Sequence, residues 1–293
     1  MSWKHIPILA REITDLLITN PDGVYIDGTL GLGGHTKFFM SKLSAQGKVI
    51  GLDKDPNAVK MAVENVADAR LLAFNLSYLN AKDALLQAGV DGAHGILFDL
   101  GLSSYQLDDP KRGFSFLQEG PLDMRFDNTG GQTAADIINT LPADELEELL
   151  LKYADERNAR KIALAVYDAR VENGPLLTTT ALAKVIEKVC RREGKIHPAT
   201  KTFQALRIAV NGELEAVESS VKILPQIIKQ GGRAAFLTFH STEDRIIKYA
   251  LKDLCSDGSW QLVNKKVIEP QWEEVKNNPR ARSAKLRVAQ RLK

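Results

Sequence analysis

Glycines and an acidic residue are concentrated in residues 27–35, which read DGTLGLGGH. Glycines let a backbone turn sharply and come close to a bound ligand. Asp53 follows Gly31 by 22 positions, about where an acidic side chain binds ribose hydroxyls in nucleotide-binding α/β folds. Together these features predict a pocket for an adenosine-containing cofactor and favour it over a purely structural tight turn.

The identity of this cofactor depends on the order of the glycines. A nicotinamide fingerprint requires a third glycine at the position of Thr36, and a phosphate-binding P-loop requires a Gly-Lys-Ser/Thr run that does not follow. The segment instead resembles the S-adenosylmethionine loop of class I methyltransferases. Asp27, Gly31 and Gly33 match that pattern, whereas Thr29 stands where a glycine is usual.

A second polar motif, DLGLSS at residues 99–104, follows the fourth apolar run of the chain. In methyltransferases that act on exocyclic amines, a short motif at this place accepts hydrogen bonds from the amine and aims its lone pair at the methyl group. We therefore predict catalytic roles for Asp99 and Ser103. Leu100 and Gly101 replace the prolines of the usual amino-methyltransferase motif. The alternative, that Asp99 only holds the donor or caps a turn, has the same weight as the catalytic role.

Two cysteines and one histidine bear on the type of chemistry. Methylation of a pyrimidine at carbon 5 needs a cysteine nucleophile, but Cys190 and Cys255 lie in helical apolar patterns typical of core packing. An amine acceptor is therefore preferred over a ring carbon. His240 ends the fifth strand and is a candidate for contact with the target base, while Ser241 and Asp244 read as a capping pair that opens a helix.

The elements that position these residues alternate between strands and helices. Short, apolar, turn-bounded runs predict strands of a buried parallel sheet. These runs are residues 24–27, 49–53, 70–73, 95–99 and 233–239, with further strands near 260–263 and 284–290. Between the second and third runs, Asp55 and Pro56 begin a helix whose Val59, Ala62, Val63 and Val66 form one buried face. The alternation predicts a doubly wound, Rossmann-like α/β sheet.

The alternation stops after Asp99 and resumes at Arg233. The interval predicts a loop over residues 101–133 and then helices over 143–153, 156–173 and 179–192, with a long one beginning near Pro198. We predict an all-helical substrate domain at residues 107–212, inserted into a methyltransferase domain made of residues 1–106 and 213–293.

Composition indicates a compact, soluble protein of 293 residues with 44% hydrophobic and 26% charged residues. No apolar signal core or membrane-length run is present, and two distant cysteines make a reducing cytoplasm the default. The net charge of +2 conceals seven basic and no acidic residues at 276–293, and seven basic against two acidic residues at 184–207. Such clusters are typical either of a nucleic-acid footprint or of solvated faces.

Eight segments together resemble the bacterial 16S ribosomal RNA cytosine-N4 methyltransferases. They are YIDGTLGLGGH at 25–35, DKDP at 53–56, DLGLSSYQLD at 99–108, RGFSF at 112–116, GPLDMR at 120–125, HPATKTFQALR at 197–207, FHSTEDR at 239–245 and NPRARS at 278–283. The resemblance implies methylation of N4 of a cytidine in the decoding centre, near the P site, without a covalent cysteine intermediate. It implies the donor contacts Gly33, Gly34, His35, Asp53, Leu76, Asp99 and Gln106. Leu32, Leu76 and Thr242 depart from the usual family residues.

The long helix of the insertion carries two stripes. Phe203, Leu206, Val210, Leu214 and Val217 recur at helical spacing and predict core positions. The other stripe is polar and is either an RNA-binding face or, equally, a polar interface between domains. Its residues are Lys201, Gln204, Arg207 and Asn211. Arg280 and Arg282, in the basic carboxyl-terminal stretch, are further candidate RNA-binding residues. Phe114, Phe116 and Met124 in the loop pack in the core or stack on bases, with packing favoured.

The sequence therefore predicts an S-adenosylmethionine-dependent RNA methyltransferase that requires no metal and acts on 16S ribosomal RNA within the small subunit. The alternatives are a DNA amino-methyltransferase, a non-catalytic assembly factor that senses the donor and, more remotely, a nicotinamide oxidoreductase. Oligomeric state is not readable from the sequence, and a homodimer stays open.

Overall fold

The computed structural model describes residues 7–102, 104–192, 194 and 197–293. One seven-stranded sheet has the order β3-β2-β1-β4-β5-β7-β6. Its strands are β1 Val24–Asp27, β2 Lys48–Leu52, β3 Leu71–Phe74, β4 Ala93–Asp99, β5 Ile228–Thr238, β6 Trp260–Leu262 and β7 Lys285–Arg291. Strands β1 to β5 pair in parallel, and β7 runs antiparallel to both β5 and β6. This sheet confirms the predicted doubly wound α/β class.

The sheet is buried on both faces, as the continuous apolar runs require. Neighbouring residues of one strand point to opposite faces, so Ile26 and Tyr25 belong to two different apolar clusters. Phe98 and Phe236 stack across β4 and β5 with ring centroids 4.7 Å apart. The burial of both faces fixes the register of the strands whose carboxyl ends carry the candidate site.

Two compact units divide the chain: Met1–Gly101 together with Leu214–Lys293, and Leu102–Glu213. The first unit holds the whole sheet. Its helices are α1 Ala10–Leu17, α2 Gly34–Lys42, α3 Pro56–Val66, α4 Ala81–Gln87, α11 Glu213–Lys222, which begins at the boundary, α12 Leu224–Ile227, α13 Ser241–Leu254 and α14 Trp272–Asn277. The boundaries between the two units lie after residues 101 and 213. The sequence predicted them after residues 106 and 212.

Helix α3 confirms its predicted start but not its predicted buried face. The Asp55 carboxylate accepts from the Asn57 N–H at 3.0 Å, and Pro56 is the first helical residue. Ala58 and Ala62 are buried, whereas Val63 is 50% exposed. The prediction for Val63 was wrong because the small Ala58 and Ala62 side chains, and not the larger valine, set the face that packs against the sheet.

The second unit is helical and has its own core. Its helices are α5 Ser104–Asp108, α6 Ala134–Thr140, α7 Ala143–Ala154, α8 Ala159–Asn173, α9 Thr179–Val189 and α10 Thr200–Asn211. Leu146, Leu150, Ile162, Val166 and Leu206 are central to this core. The predicted loop over 101–133 therefore contains α5 and a 3₁₀ turn at Pro110–Arg112.

Two predicted boundaries in the insertion were wrong. Helix α8 begins at Ala159 instead of 156, because Asp155 takes a left-handed conformation (φ 46°) and the Glu156 carboxylate accepts from Asn158 N–H. Helix α9 ends at Val189, so the predicted extension to 192 is not helical.

The single long helix predicted from Pro198 is two helices. Gly212, at φ +60°, ends α10, and α11 begins at Glu213. Phe203 packs in the core of the second unit and Val217 in that of the first. The predicted apolar stripe is correct in its spacing, but it serves two cores.

None of the helices in the described ranges combines the length and the apolar character that crossing a membrane needs.

Candidate active site

The glycine loop connects the end of β1 to the start of α2. Gly28 N–H donates to Leu97 O at 2.9 Å and Leu30 N–H to Leu52 O at 2.9 Å, so the loop is tied to both neighbouring strands. Gly33 has φ +79°, and a Cβ there would lie 2.5 Å from Val66 Cγ2. Only glycine fits this position, both in conformation and in space.

Asp53 is bonded to the glycine loop, as the sequence spacing suggested. Its Oδ2 accepts from Gly31 N–H at 2.8 Å, and its Oδ1 accepts from Asp55 N–H at 2.9 Å. Burial raises the pKa of Asp53 to about 6, although both backbone hydrogen bonds act in the opposite direction. The carboxylate is thus fixed in position and can still accept from a ligand hydroxyl, because each oxygen has more than one acceptor site.

Leu76 lies two residues beyond β3, next to Asp53 at the end of β2. The preceding residue, Asn75, donates from Nδ2 to Asp53 O and Lys54 O, both at 2.9 Å. Sequence reasoning missed Asn75, although a polar residue directly after a strand end was a usable signal. Asn75 fixes the turn that carries Asp53 relative to the half-buried, apolar Leu76.

Asp27, His35 and Asp99 form a cluster at the carboxyl ends of β1 and β4, in which Asp27 and His35 are buried and the Asp99 side chain is 20% exposed. His35 Nε2 lies 3.4 Å from Asp99 Oδ2. Thr36 Oγ1 donates to Asp27 Oδ2 at 2.7 Å, and burial raises the pKa of Asp27. Asp99 N–H donates to Thr29 Oγ1 at 2.7 Å, so the residue that departs from the usual glycine supports Asp99. We call these three residues the Asp27–His35–Asp99 cluster.

Four buried atoms of this cluster have no hydrogen-bond partner among the described residues. They are Asp27 Oδ1, His35 Nδ1, His35 Nε2 and Asp99 Oδ1. Buried polar atoms without partners are costly, which indicates that a polar ligand completes them. S-adenosylmethionine carries an ammonium group that donates, a carboxylate that accepts and ribose hydroxyls that do both. The residues present therefore fit this group.

His240 begins helix α13 and faces Glu243. Its Nδ1 accepts from Glu243 N–H at 3.4 Å, its Nε2 lies 2.6 Å from Glu243 Oε1, and Phe239 N–H donates to Glu243 Oε2 at 3.1 Å. The predicted Ser241–Asp244 capping pair was wrong by one residue, because Asp244 instead binds Arg287 at 2.7 Å. Contact of His240 with a target base stays a prediction.

Gly101 follows Asp99 by two positions and passes over the Phe239 ring. A Cβ at Gly101 would lie 2.6 Å from Phe239 Cε2. Any larger residue here would require the Phe239 ring to move, so glycine suits this path out of β4. Ser103 lies outside the described residues, so its predicted catalytic role stays a prediction.

The candidate RNA-binding stripe of α10 makes contacts within the second unit. Arg207 binds the Glu213 carboxylate through Nε at 2.7 Å and through Nη2 at 2.8 Å. Asn211 Nδ2 donates to Met124 O and its Oδ1 accepts from Phe126 N–H, both at 2.8 Å. Lys201 Nζ donates to Asp155 O at 2.8 Å, and Gln204 is half-buried. These contacts give the stripe a structural role.

The remaining candidates divide between the two units. Gln106 is buried on α5 in the second unit, where its predicted donor contact stays a prediction. Arg280 and Arg282 are exposed in the first unit, on the 3₁₀ turn Pro279–Ser283, which buried Ala281 anchors. Phe114 and Met124 are buried in the core of the second unit, as the packing alternative predicted.

Cys190 is buried and Cys255 is half-buried. Burial raises the pKa of the Cys255 thiol, and Cys190 packs in the core of the second unit. Both cysteines are therefore packed as the sequence predicted.

Comparison with known proteins identifies the family of this chain. The model of the MraW methylase family matches residues 2–292. A protein of Elusimicrobium minutum strain Pei191 named ribosomal RNA small subunit methyltransferase H is 57% identical over 295 residues, covering 99% of each chain. A protein of the same name from Acinetobacter baylyi is 43% identical over 305 residues, again covering 99% of each chain. The predictions of a methyltransferase and of S-adenosylmethionine as its donor are confirmed. The chain belongs to the MraW methylase family.

Proposed function

We propose that this enzyme methylates N4 of a cytidine in the decoding centre of 16S ribosomal RNA within the small ribosomal subunit. The observation that carries the proposal is the Asp99 carboxylate at the end of β4, whose buried Oδ1 has no partner in the described part of the chain. The printed names of the two relatives support ribosomal RNA as the substrate. The motif resemblance supports the N4 position.

The donor is held by residues from three strand ends. The backbone N–H groups of Gly34 and His35 at the start of α2 would receive its polar end, since a helix amino terminus presents unpaired N–H groups. Gly33, whose own N–H donates to Leu30 O at 2.8 Å, would let the chain approach the donor closely. Asp53 would accept from the ribose hydroxyls, and Leu76 would contact the flat base. When bound, S-adenosylmethionine supplies an electrophilic methyl group on a positively charged sulfur.

Asp99 orients the target amine. The lone pair of cytosine N4 is delocalised into the ring, so an acceptor must hold the amine hydrogens for the lone pair to point at the methyl carbon. A carboxylate in this position also accepts a proton as the new N–C bond forms, a contribution of about 10²–10⁴-fold in rate. Cys190 and Cys255 are packed away, which supports direct transfer without a thiolate intermediate.

RNA is held by the basic stretches, in this proposal. Arg280 and Arg282 are exposed and add charge that phosphates attract. Within the same carboxyl-terminal stretch, Arg287 binds Asp244 and Arg291 binds the Pro225 and Ile228 carbonyls. Arg287 and Arg291 therefore have structural roles, and we assign the RNA contact of this stretch to the exposed arginines of the turn Pro279–Ser283 because of their exposure. In this proposal the enzyme acts in the cytoplasm, where ribosomal subunits are.

The proposal is tested with small subunits from cells that lack this methylation. The full chain is incubated with methyl-labelled S-adenosylmethionine and the subunits, with duplex DNA in a parallel reaction, and the RNA is then digested to nucleosides. We expect label in N4-methylcytidine alone. Label in 5-methylcytidine, or activity on DNA with none on subunits, would overturn the proposal.

A further inference from the structure

His35 is close to Asp99 and interacts electrostatically with Asp27, two carboxylates from different strands. It is 5% exposed, and its Nε2 is 3.4 Å from Asp99 Oδ2. The Asp27 carboxyl, at the end of β1, interacts electrostatically with both His35 and Asp99. The short distance between His35 Nε2 and Asp99 Oδ2 allows a proton to pass between the carboxylate and the ring.

Three strand ends contribute charged groups to the neighbourhood of His35. β1 supplies Asp27, β4 supplies Asp99, and Asp53 after β2 interacts with Asp27 at longer range. On α2 itself the nearest charged residue along the chain is Lys37, which is exposed. The groups that the three strand ends supply are thus all carboxylates.

We propose that His35, acting with Asp99, takes up the proton that the target amine releases during methyl transfer. This inference rests on the proposed function, in which an amine is the acceptor. The nitrogen lone pair forms the N–C bond, and the electron pair of the breaking C–S bond stays on sulfur. The proton leaves nitrogen for the Asp99 carboxylate and passes from there to His35 Nε2, while Asp27 stabilises the resulting imidazolium.

Charge balance gives this step a physical reason. Before transfer, bound S-adenosylmethionine would bring a positive sulfonium into the pocket, which would disfavour a second positive charge on His35. After transfer the sulfur is neutral, and the proton on His35 restores the positive charge that the carboxylates stabilise. The cluster thus keeps nearly the same net charge throughout. In a pocket with little water, this constant net charge avoids the free-energy cost of a carboxylate that has no positive partner.

The test compares the two forms of the bound ligand and does not require RNA or turnover. Binding of S-adenosylmethionine and of S-adenosylhomocysteine to the full chain is measured by calorimetry at pH 7.0 in buffers of different ionisation enthalpy, which gives the protons taken up. We expect more protons to be taken up on binding S-adenosylhomocysteine than on binding S-adenosylmethionine. The difference, which we call the excess, should approach one proton per site. In His35→Gln this excess is lost, and the ratio of the two dissociation constants changes by about tenfold.

His94→Gln is the matched control. His94 lies on the same strand as Asp99 but at its opposite end, where Nδ1 accepts from Val24 N–H at 3.0 Å, a bond that a glutamine oxygen can replace. Protonation of the ligand's own amine contributes the same number of protons in every variant. A difference in proton uptake between variants therefore comes from a group of the enzyme. We expect His94→Gln to keep the wild-type excess.

Two results would overturn the proposal: no excess in the wild type, or the same excess in His35→Gln. If circular dichroism shows His35→Gln to be unfolded, Asp27→Asn serves instead, since its amide oxygen still accepts from Thr36 and it removes one carboxylate. A reduced excess in Asp27→Asn supports the proposal, and an unchanged one contradicts it. If subunits are not methylated at N4 but the excess still depends on His35, the proposed substrate is wrong and the proposed role of His35 stands.

Discussion

The Asp99 backbone N–H donates to the Thr29 hydroxyl over 2.7 Å, across 70 positions of sequence. Because Leu100 N–H donates to Leu237 O on the other side, the end of β4 is fixed to both β5 and the glycine loop. The carboxylate of Asp99 therefore has little freedom to move relative to the donor-binding loop.

Thr29→Val should weaken both the fold and catalysis. It leaves the Asp99 N–H without its acceptor, which costs about 1–3 kcal/mol in unfolding free energy. Urea denaturation measures that loss, and kcat should fall with it because Asp99 loses its support. Thr29→Ser keeps the hydroxyl and should stay near wild type. A larger loss in Thr29→Ser than in Thr29→Val would show that the methyl group, and not the hydroxyl, matters.

Asp99→Asn separates catalysis from donor binding. We expect kcat to fall by at least about 10²-fold, with the donor dissociation constant changing less than about tenfold. Single-turnover methylation and calorimetry measure the two quantities. Asp15→Asn, at an exposed aspartate that pairs with Lys42 at 3.2 Å, is the control. Equal losses in rate and affinity would mean that Asp99 only holds the donor.

Donor binding should weaken in acid. The pKa of Asp53 is raised to about 6 in the free enzyme, and only the ionised form accepts from both ribose hydroxyls. Affinity should be constant above pH 7 and fall by about tenfold between pH 7 and pH 5. The stability of the free enzyme has the opposite sign: a raised carboxyl pKa makes its contribution less favourable as pH rises from about 4 to 6. Asp53→Asn should remove the acid loss of affinity, and a persisting loss would assign it to another group.

Gly33→Ala should distort the donor loop. At φ +79°, with Val66 Cγ2 only 2.5 Å from the new Cβ, we expect a loss of about 2–3 kcal/mol in unfolding free energy and weaker donor binding. Gly89 has a similar φ of +68° with nothing within 4 Å of a Cβ, so Gly89→Ala should cost only about 1 kcal/mol. Adding Val66→Ala to Gly33→Ala should recover part of the loss. If it recovers none, the steric contact is not the cause.

Arg207 and Arg282 should behave differently although both are candidate RNA contacts. Arg207 and Glu213 have side chains only 14% and 10% exposed, so Arg207→Ala should lower the unfolding free energy by about 3 kcal/mol. Arg282→Ala should leave stability unchanged, raise KM for subunits and reduce the salt dependence of binding by about one unit of slope. Equal thermal stability of the two variants would contradict the structural role of Arg207.

Local signals predicted the parts of the site that depend on short stretches of chain. The Asp55–Pro56 helix start and the approach of Asp53 to Gly31 both follow from the preferences of a few neighbouring residues. Helical spacing was less informative, because it does not reveal which of two adjacent faces meets the sheet. This is why Val63 was placed wrongly.

The parts that were missed depend on contacts between distant or competing groups. His240, and not Ser241, caps α13 because the Glu243 side chain reaches back to Phe239 N–H, a choice that residue type alone does not decide. The partner of Arg207 lies beyond the turn at Gly212, which helical periodicity treats as continuous. Thr29 reads as a departure from a glycine pattern until its partner 70 positions away is known.

The pairing of β4 with β5 has a consequence for how the protein is made. Asp99 pairs with Leu237, so the central strand of the sheet lacks one neighbour until more than a hundred further residues have been synthesised. An open, apolar strand edge invites wrong pairing, and contacts between distant segments form slowly. During translation the helical unit is complete before β5 is available to pair with β4. The edge of the sheet beside Asp99 is therefore closed only after β5 has been synthesised.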